Sequence, residues 1–270
     1  MPYLNADPLA AALREREAAL LVGDAVELSA LIPSRLIGAL LQGGLDAALV
    51  STGAVLPHPE LRILPGMGVI SRGEVQSIQL YLRRPLSQVK TVALDASSRS
   101  AVALTRVLFA ERWRMTPEFR TLPPDLPAML EQADAALLIG NPALAANQAL
   151  ASGRWPGLVR ESLDLGREWQ ELTGLPFTYA IWAAPADRDL ARLTAALTRA
   201  KQWGLRRRDQ LAARGAEDLG LPLSVARQYL YESIQYDLGE AERAGIERFC
   251  ELAVRNGVLP EGSAVRFFEG

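Results

Sequence analysis

Cysteine and histidine are almost missing from this sequence: Cys250 and His58 stand alone among 270 residues. A single cysteine forms no internal disulfide and no thiolate cluster, which fits a reducing compartment. A single histidine leaves no Ser-His-Asp triad and no histidine cage for a metal. His58 lies between Pro57 and Pro59, a loop context, and Cys250 falls in Phe249-Cys250-Glu251-Leu252, where a buried helical thiol packs as a small apolar group. Charge of one sign is lacking too. A formal net charge of -2 gives no positive field for phosphate backbones, so no nucleic-acid partner is expected. The one concentrated basic run, Arg206-Arg207-Arg208, reads as a solvated helix face. No apolar stretch is long enough to span a bilayer, and no basic segment followed by an apolar core marks export. The expectation is a cytoplasmic protein without a membrane partner.

What is present is a globular composition, 49% hydrophobic, arranged in alternating strand and helix signals. Asp7-Pro8 opens a helix running to about Leu21, with Asp7 as cap and Pro8 at the first helical position. Val26 to Leu31 alternates as a strand, Pro33 to Leu41 is a helix stopped by Gly43-Gly44, and Leu45 to Val50 is an apolar strand. Further strands are predicted over 75–83, 91–94, 135–139 and 177–183. Helices are predicted over 101–113, 189–214, 223–235 and 240–256. Gly66-Met67-Gly68 lacks the spacing of a nucleotide loop and reads as turn glycines. Glu168 to Glu171 reads as an exposed helix turn with one buried aromatic, and Tyr229, Tyr231 and Tyr236 as packing residues.

This order predicts an α/β protein of two lobes, each a mostly parallel sheet flanked by helices, with a cleft between them. The extended segments near 75–83 and 177–183 act as crossings. Lobe one is then 1–82 plus 181–270, and lobe two is 83–180. Ligands in such sheets bind where strands end, and a cleft gathers several strand ends. The residues there are polar or small: Asn5, then Ser51-Thr52-Gly53, then Ser97-Ser98-Arg99-Ser100, then Gly140-Asn141. Successive hydroxyls at the start of the helix behind Ser100 suit a carboxylate or phosphate, although an ordinary serine cap needs only one of them. Arg99 adds a guanidinium that can clamp a carboxylate. The site expected is therefore one for a small anionic molecule.

These strand ends also carry a resemblance. Tyr3-Leu4-Asn5, Leu31-Ile32-Pro33-Ser34-Arg35-Leu36, Leu45 to Ser51, Ser97 to Ser100, Leu137-Leu138-Ile139-Gly140 and Leu175-Pro176-Phe177 together resemble the chorismate dehydratase family of the futalosine route to menaquinone. The likeness covers nearly the whole chain, with the motifs in matching order. It implies the fold of type II periplasmic binding proteins and conversion of chorismate to 3-[(1-carboxyvinyl)oxy]benzoate and water. It implies no metal and no organic cofactor, and it allows a homodimer. The family's asparagine and a serine on the first crossing strand, both linked to activity, correspond to Asn5 and Ser77. Ser51, Thr52, Ser97, Ser98, Arg99, Ser100, Gly140 and Asn141 are the candidate substrate-binding residues. Two departures stand out: the family position after Leu-Ile-Gly is acidic and here is Asn141, and the first strand is short.

Two other readings share the fold. A solute-binding protein would bind without reacting and would need an export signal. The sister enzyme 1,4-dihydroxy-6-naphthoate synthase relies on a histidine and begins with a Ser-Pro-Cys-Pro-Asn type of motif; this sequence has neither that motif nor a well-placed histidine, His58 being in a proline-flanked loop.

Overall fold

The structure, a computed structural model, describes residues 3–15, 27–29, 31, 33–95 and 97–270. A 3-10 turn, Leu4–Ala6, leads into α1 (Asp7–Arg14) with Pro8 in its first turn. Then come α2 (Pro33–Leu41), β1 (Ala48–Ser51), the one-turn α3 (Thr52–Val55) and the long β2 (Leu61–Ser71). The middle of the chain holds β3 (Ile78–Leu82), β4 (Thr91–Leu94), α4 (Arg99–Glu111), β5 (Glu118–Thr121) and α5 (Leu126–Gln132). It continues with β6 (Ala135–Ile139), α6 (Gly140–Ala151), β7 (Glu161–Asp164) and α7 (Leu165–Thr173). The last part is β8 (Phe177–Pro185), α8 (Leu190–Arg206), α9 (Arg208–Leu219), α10 (Leu223–Gln228), a π-helical turn Tyr229–Ser233 and α11 (Glu240–Arg255).

The strands form two sheets, ordered β1-β8-β2 and β5-β4-β6-β3-β7. The expectation of mostly parallel sheets holds for β5, β4 and β6, which run together. It fails for β8, antiparallel to β1 and β2, and for β3, antiparallel to β6 and β7. The reason is the crossing itself. A strand that follows a crossing starts at the cleft, where its neighbours end: Ile78 opens β3 opposite Ile139 at the end of β6, and Ala180 of β8 faces Ser51 at the end of β1. Sheet membership places all of β3 in the second sheet and all of β8 in the first, so the segments that join the two sheets there are 72–77 and 174–176.

Both crossings are pinned. The Asp164 carboxylate, almost fully buried, accepts from the amides of Val75 and Gln76, from Gln79 Nε2, and from Gly166 and Arg167 at the start of α7. Burial raises its pKa against the opposing pull of those donors. At the return crossing Trp169, Phe177 and Phe249 meet edge to face, with centroids 5.0 to 6.3 Å apart. All three rings are buried, worth on the order of 2–3 kcal/mol each in surface removed from water.

Several predicted elements move. Gly66-Met67-Gly68 is not a turn but part of β2, at a bulge where the pairing with β8 shifts between Ile63 and Gly68. Gly66 has φ +76, which only glycine adopts without strain. The helix expected over 189–214 breaks at Arg207 (φ -112, ψ 17) into α8 and α9, so the triple-arginine run is a helix junction. Arg207 lies over the Trp203 ring and Arg208 over Tyr231, which replaces the solvated face. The helix over 223–235 stops early, because Gln235 pairs with Ile70 as an isolated bridge. β5 and β7 were absent from the prediction; they are edge strands, and Glu118-Phe119-Arg120-Thr121 has no buried residue to betray it. Helix α1 ends at Arg14, short of the expected Leu21, because Glu15 is extended (φ -91, ψ 115) and breaks the helical run; 16–26 lie outside the described residues. Of the strand expected over 26–31, Glu27–Ser29 and Leu31 have no regular structure and the rest lies outside the described residues.

Candidate active site

A cavity of about 530 Å³ opens between the sheets, the size of a small-molecule site. One wall is the β1–β8 face, where Leu49 lies opposite Trp182 and Ser51 opposite Ala180. A second wall comes from the ends of β4 and β6, with Ser97, Ser98, Arg99, Ile139 and Gly140. The N-terminal turn closes a third side with Tyr3, Asn5 and Asp7, the last paired with Arg14. Leu28, Leu31, Leu36, Ile37 and Leu45 add an apolar stretch, beside which Glu27 and Ser29 also line the cavity.

The N-terminal turn is not a strand end. Tyr3 is extended (φ -77, ψ 145), but its neighbours do not enter a sheet: Leu4 N donates to Asn141 Oδ1 at 3.0 Å, and Ala6 N closes the turn onto Tyr3 O at 2.9 Å. Asn141 therefore serves the backbone of this turn, and its amide replaces the strand partner that the sequence implied. Gly140 makes room for the same turn. It has φ +60, and a Cβ there would lie 2.5 Å from the Tyr3 ring. The outcome is that Asn5, half-buried, lines the cavity.

Ser77 belongs to the crossing and not to β3. Gln76 is left-handed (φ 61), Ser77 N donates to Val75 O at 2.7 Å, and Gly140 N donates to Ser77 O at 2.7 Å. Fully buried, Ser77 does not line the cavity itself. It comes near Asn5 at Tyr229, whose hydroxyl donates to Ser77 Oγ at 2.7 Å and has the Asn5 side chain beside it, favouring the charged form of the phenol. Burial keeps the Tyr229 phenol neutral by pushing its pKa well up. Tyr229 is the residue that sequence reasoning set aside as packing. No local signal marks it, since 152 positions separate it from Ser77.

The serine cluster is drawn together as well, but largely onto itself. Ser51 Oγ accepts from Ser100 N at 2.7 Å and donates to Ser100 Oγ at 2.8 Å, which also accepts from Gly53 N at 2.9 Å. Ser98 Oγ caps α4 by accepting from Ala101 N. Its 3.5 Å approach to Ser51 Oγ is too long to hold its proton firmly, so the Ser98 hydroxyl can still donate into the cavity. Arg99 lines the cavity as an exposed cation. Thr52 and Ser100 are fully buried outside the lining, and Thr52 Oγ1 has no hydrogen-bond partner. Among the described residues no three His, Cys, Asp or Glu side chains are grouped to hold a metal.

Two lobes with a mixed sheet each and a cavity between them give the chain a periplasmic-binding-protein-like fold. Solved structures agree on the fold: a protein of Archaeoglobus fulgidus (TM-score 0.70, 19% identity, 94% of this chain and 96% of that one) is similar throughout. So is a Candida albicans gene product described as having the generic periplasmic binding protein fold (TM-score 0.66, 12% identity, 100% and 96%). An alkanesulfonate-binding protein of Xanthomonas axonopodis pv. citri, bound to MOPS, has TM-score 0.64 at 16% identity over 95% and 92%. In sequence, residues 1–255 match the family model described as menaquinone biosynthesis. The chain is 32% identical over 231 residues to the chorismate dehydratase of Thermus thermophilus, covering 82% of this chain and 84% of that protein. The chain belongs to this menaquinone-biosynthesis family.

Proposed function

We propose that this protein is a chorismate dehydratase: a hydro-lyase that converts chorismate to 3-[(1-carboxyvinyl)oxy]benzoate and water for menaquinone formation by the futalosine route, acting in the cytoplasm. The observation that carries the reading is the meeting of Asn5 and Ser77 at one phenol beside a cavity with anion-binding groups, in a chain related to a chorismate dehydratase.

The ring proton that must leave is acidic through the conjugated ring carboxylate, so groups that hold this carboxylate stabilise the charge developing at the transition state. In this reading Ser98 and Arg99, which line the cavity, take that role. The hydroxyl departs from the adjacent carbon and the ring becomes aromatic. Asn5 cannot be the base, because a carboxamide does not titrate in the usable range. In this proposal the substrate's own enolpyruvyl carboxylate takes the proton, and Asn5, oriented by Tyr229 and Ser77, fixes the geometry. Orientation alone supplies several kcal/mol of barrier reduction, on the order of 7–11 at best.

The test is incubation of purified protein with chorismate, following loss of the cyclohexadiene and appearance of an aromatic product. Turnover is expected. Saturable binding without conversion would instead support a solute-binding role, which the same fold serves in the alkanesulfonate-binding relative.

A further inference from the structure

One hydrogen-bonded line at the cavity is not used by the mechanism above. Tyr3 Oη lies 2.9 Å from Ser97 Oγ, and Ser97 Oγ lies 2.5 Å from Asp95 Oδ1, which also accepts from Ser97 N at 2.9 Å. Tyr3 and Ser97 line the cavity; Asp95 is buried behind them, only 2% exposed. The direction of each bond follows from chemistry. A carboxylate only accepts, so the single Ser97 hydroxyl proton is committed to Asp95. The proton between Tyr3 and Ser97 must then come from Tyr3. Burial raises the Tyr3 pKa, with the Asp95 charge adding to it, so the phenol keeps that proton to give. Its remaining capacity is as an acceptor.

We propose that the Asp95–Ser97–Tyr3 line makes Tyr3 Oη an acceptor-only group that recognises a hydroxyl on the ligand, and that it is a specificity-determining residue for the ring hydroxyl of chorismate. This rests on the dehydratase reading. The ring hydroxyl is chorismate's sole hydrogen-bond donor once both carboxylates are ionised, and the aromatic product has lost it. The cavity then sorts its ligand by polarity: Ser98 and Arg99 donate to carboxylate, while Tyr3 accepts from hydroxyl. Tyr3 grips substrate and has nothing to grip in product.

The experiment compares two ligands in two variants, Tyr3→Phe and Ser97→Ala, each checked for folding by circular dichroism. Tyr3→Phe removes the acceptor. Ser97→Ala leaves the phenol in place but frees its proton to turn inward. Both should raise KM for chorismate roughly two- to tenfold, the size of one hydrogen bond, while the inhibition constant of the aromatic product stays as in the unaltered protein. Equal weakening of both ligands, or no change in KM in Tyr3→Phe, would overturn the assignment while leaving the dehydratase reading intact. An unaltered protein that neither binds nor turns over chorismate would overturn both.

Discussion

The serine cluster at β1 and α4 and the Asn5–Tyr229–Ser77 junction are both polar, both beside the cavity, and built on opposite plans. In the cluster, Ser51 and Ser100 bond to each other and to the backbone of Ser100 and Gly53. Its groups are mostly saturated by the protein, and it works as a joint between β1 and α4 that leaves Ser98 to face a ligand. In the junction, a single phenol stands beside two side chains from distant parts of the chain, and neither backbone is fixed by it. A polar strand end is therefore not a binding site by virtue of its composition. What matters is how many of its donors and acceptors remain for a ligand.

This contrast can be broken most sharply at Asn5. Asn5→Ala should lower kcat for chorismate roughly a hundredfold, about 2.7 kcal/mol of transition-state stabilisation, with the circular-dichroism spectrum preserved. Turnover within a factor of two would remove Asn5 from the mechanism. Tyr229→Phe comes next: the ring still packs, but buried Ser77 Oγ loses its donor, so kcat should fall about tenfold and stability by ~1–2 kcal/mol in urea unfolding, with KM little changed. A loss confined to stability would make Tyr229 a packing residue after all.

Ser100→Ala should show the reverse balance. Removing its hydroxyl orphans the buried Gly53 amide and one bond of Ser51, costing ~1–3 kcal/mol of stability while kcat changes by less than about threefold. The smallest effect is expected far from both clusters, at the ion pair of Glu111 with Arg255, 2.7 Å apart between α4 and α11. Arg255 and then Asn256 hold the Glu111 carboxyl below its ordinary pKa. A depressed carboxyl contributes stability above its unfolded value and loses it as pH falls through the folded one. Arg255→Ala should thus lower stability at pH 7 only slightly, since Arg255 is itself exposed, and leave it unchanged in acid where Glu111 is protonated, flattening the slope between, read by unfolding at stepped pH.

Legibility followed the same divide. β4 and β6 were found with their observed limits, because apolar runs of three and five residues that are buried on both faces, 92–94 behind Thr91 and Ala135–Ile139, announce themselves. Ser98 was legible as part of a helix start, and α4 does begin behind it. The crossing strands were seen, but their direction was not, because antiparallel entry follows from where the neighbouring strands end. Tyr229 looked like any tyrosine in a helix, and no local pattern marked Asp95 as the buried acceptor of the Ser97 hydroxyl.

By itself the sequence determined the two-lobed α/β class, the polar strand ends and the family, since hydrophobic period, caps and motif order are local properties of the chain. Only the tertiary structure decided which of those polar groups remain open to a ligand. Hydrogen-bond capacity is consumed pairwise in space, and the partners that consume it for Ser77 and Ser97 come from Tyr229, Gly140 and Tyr3, far away along the chain.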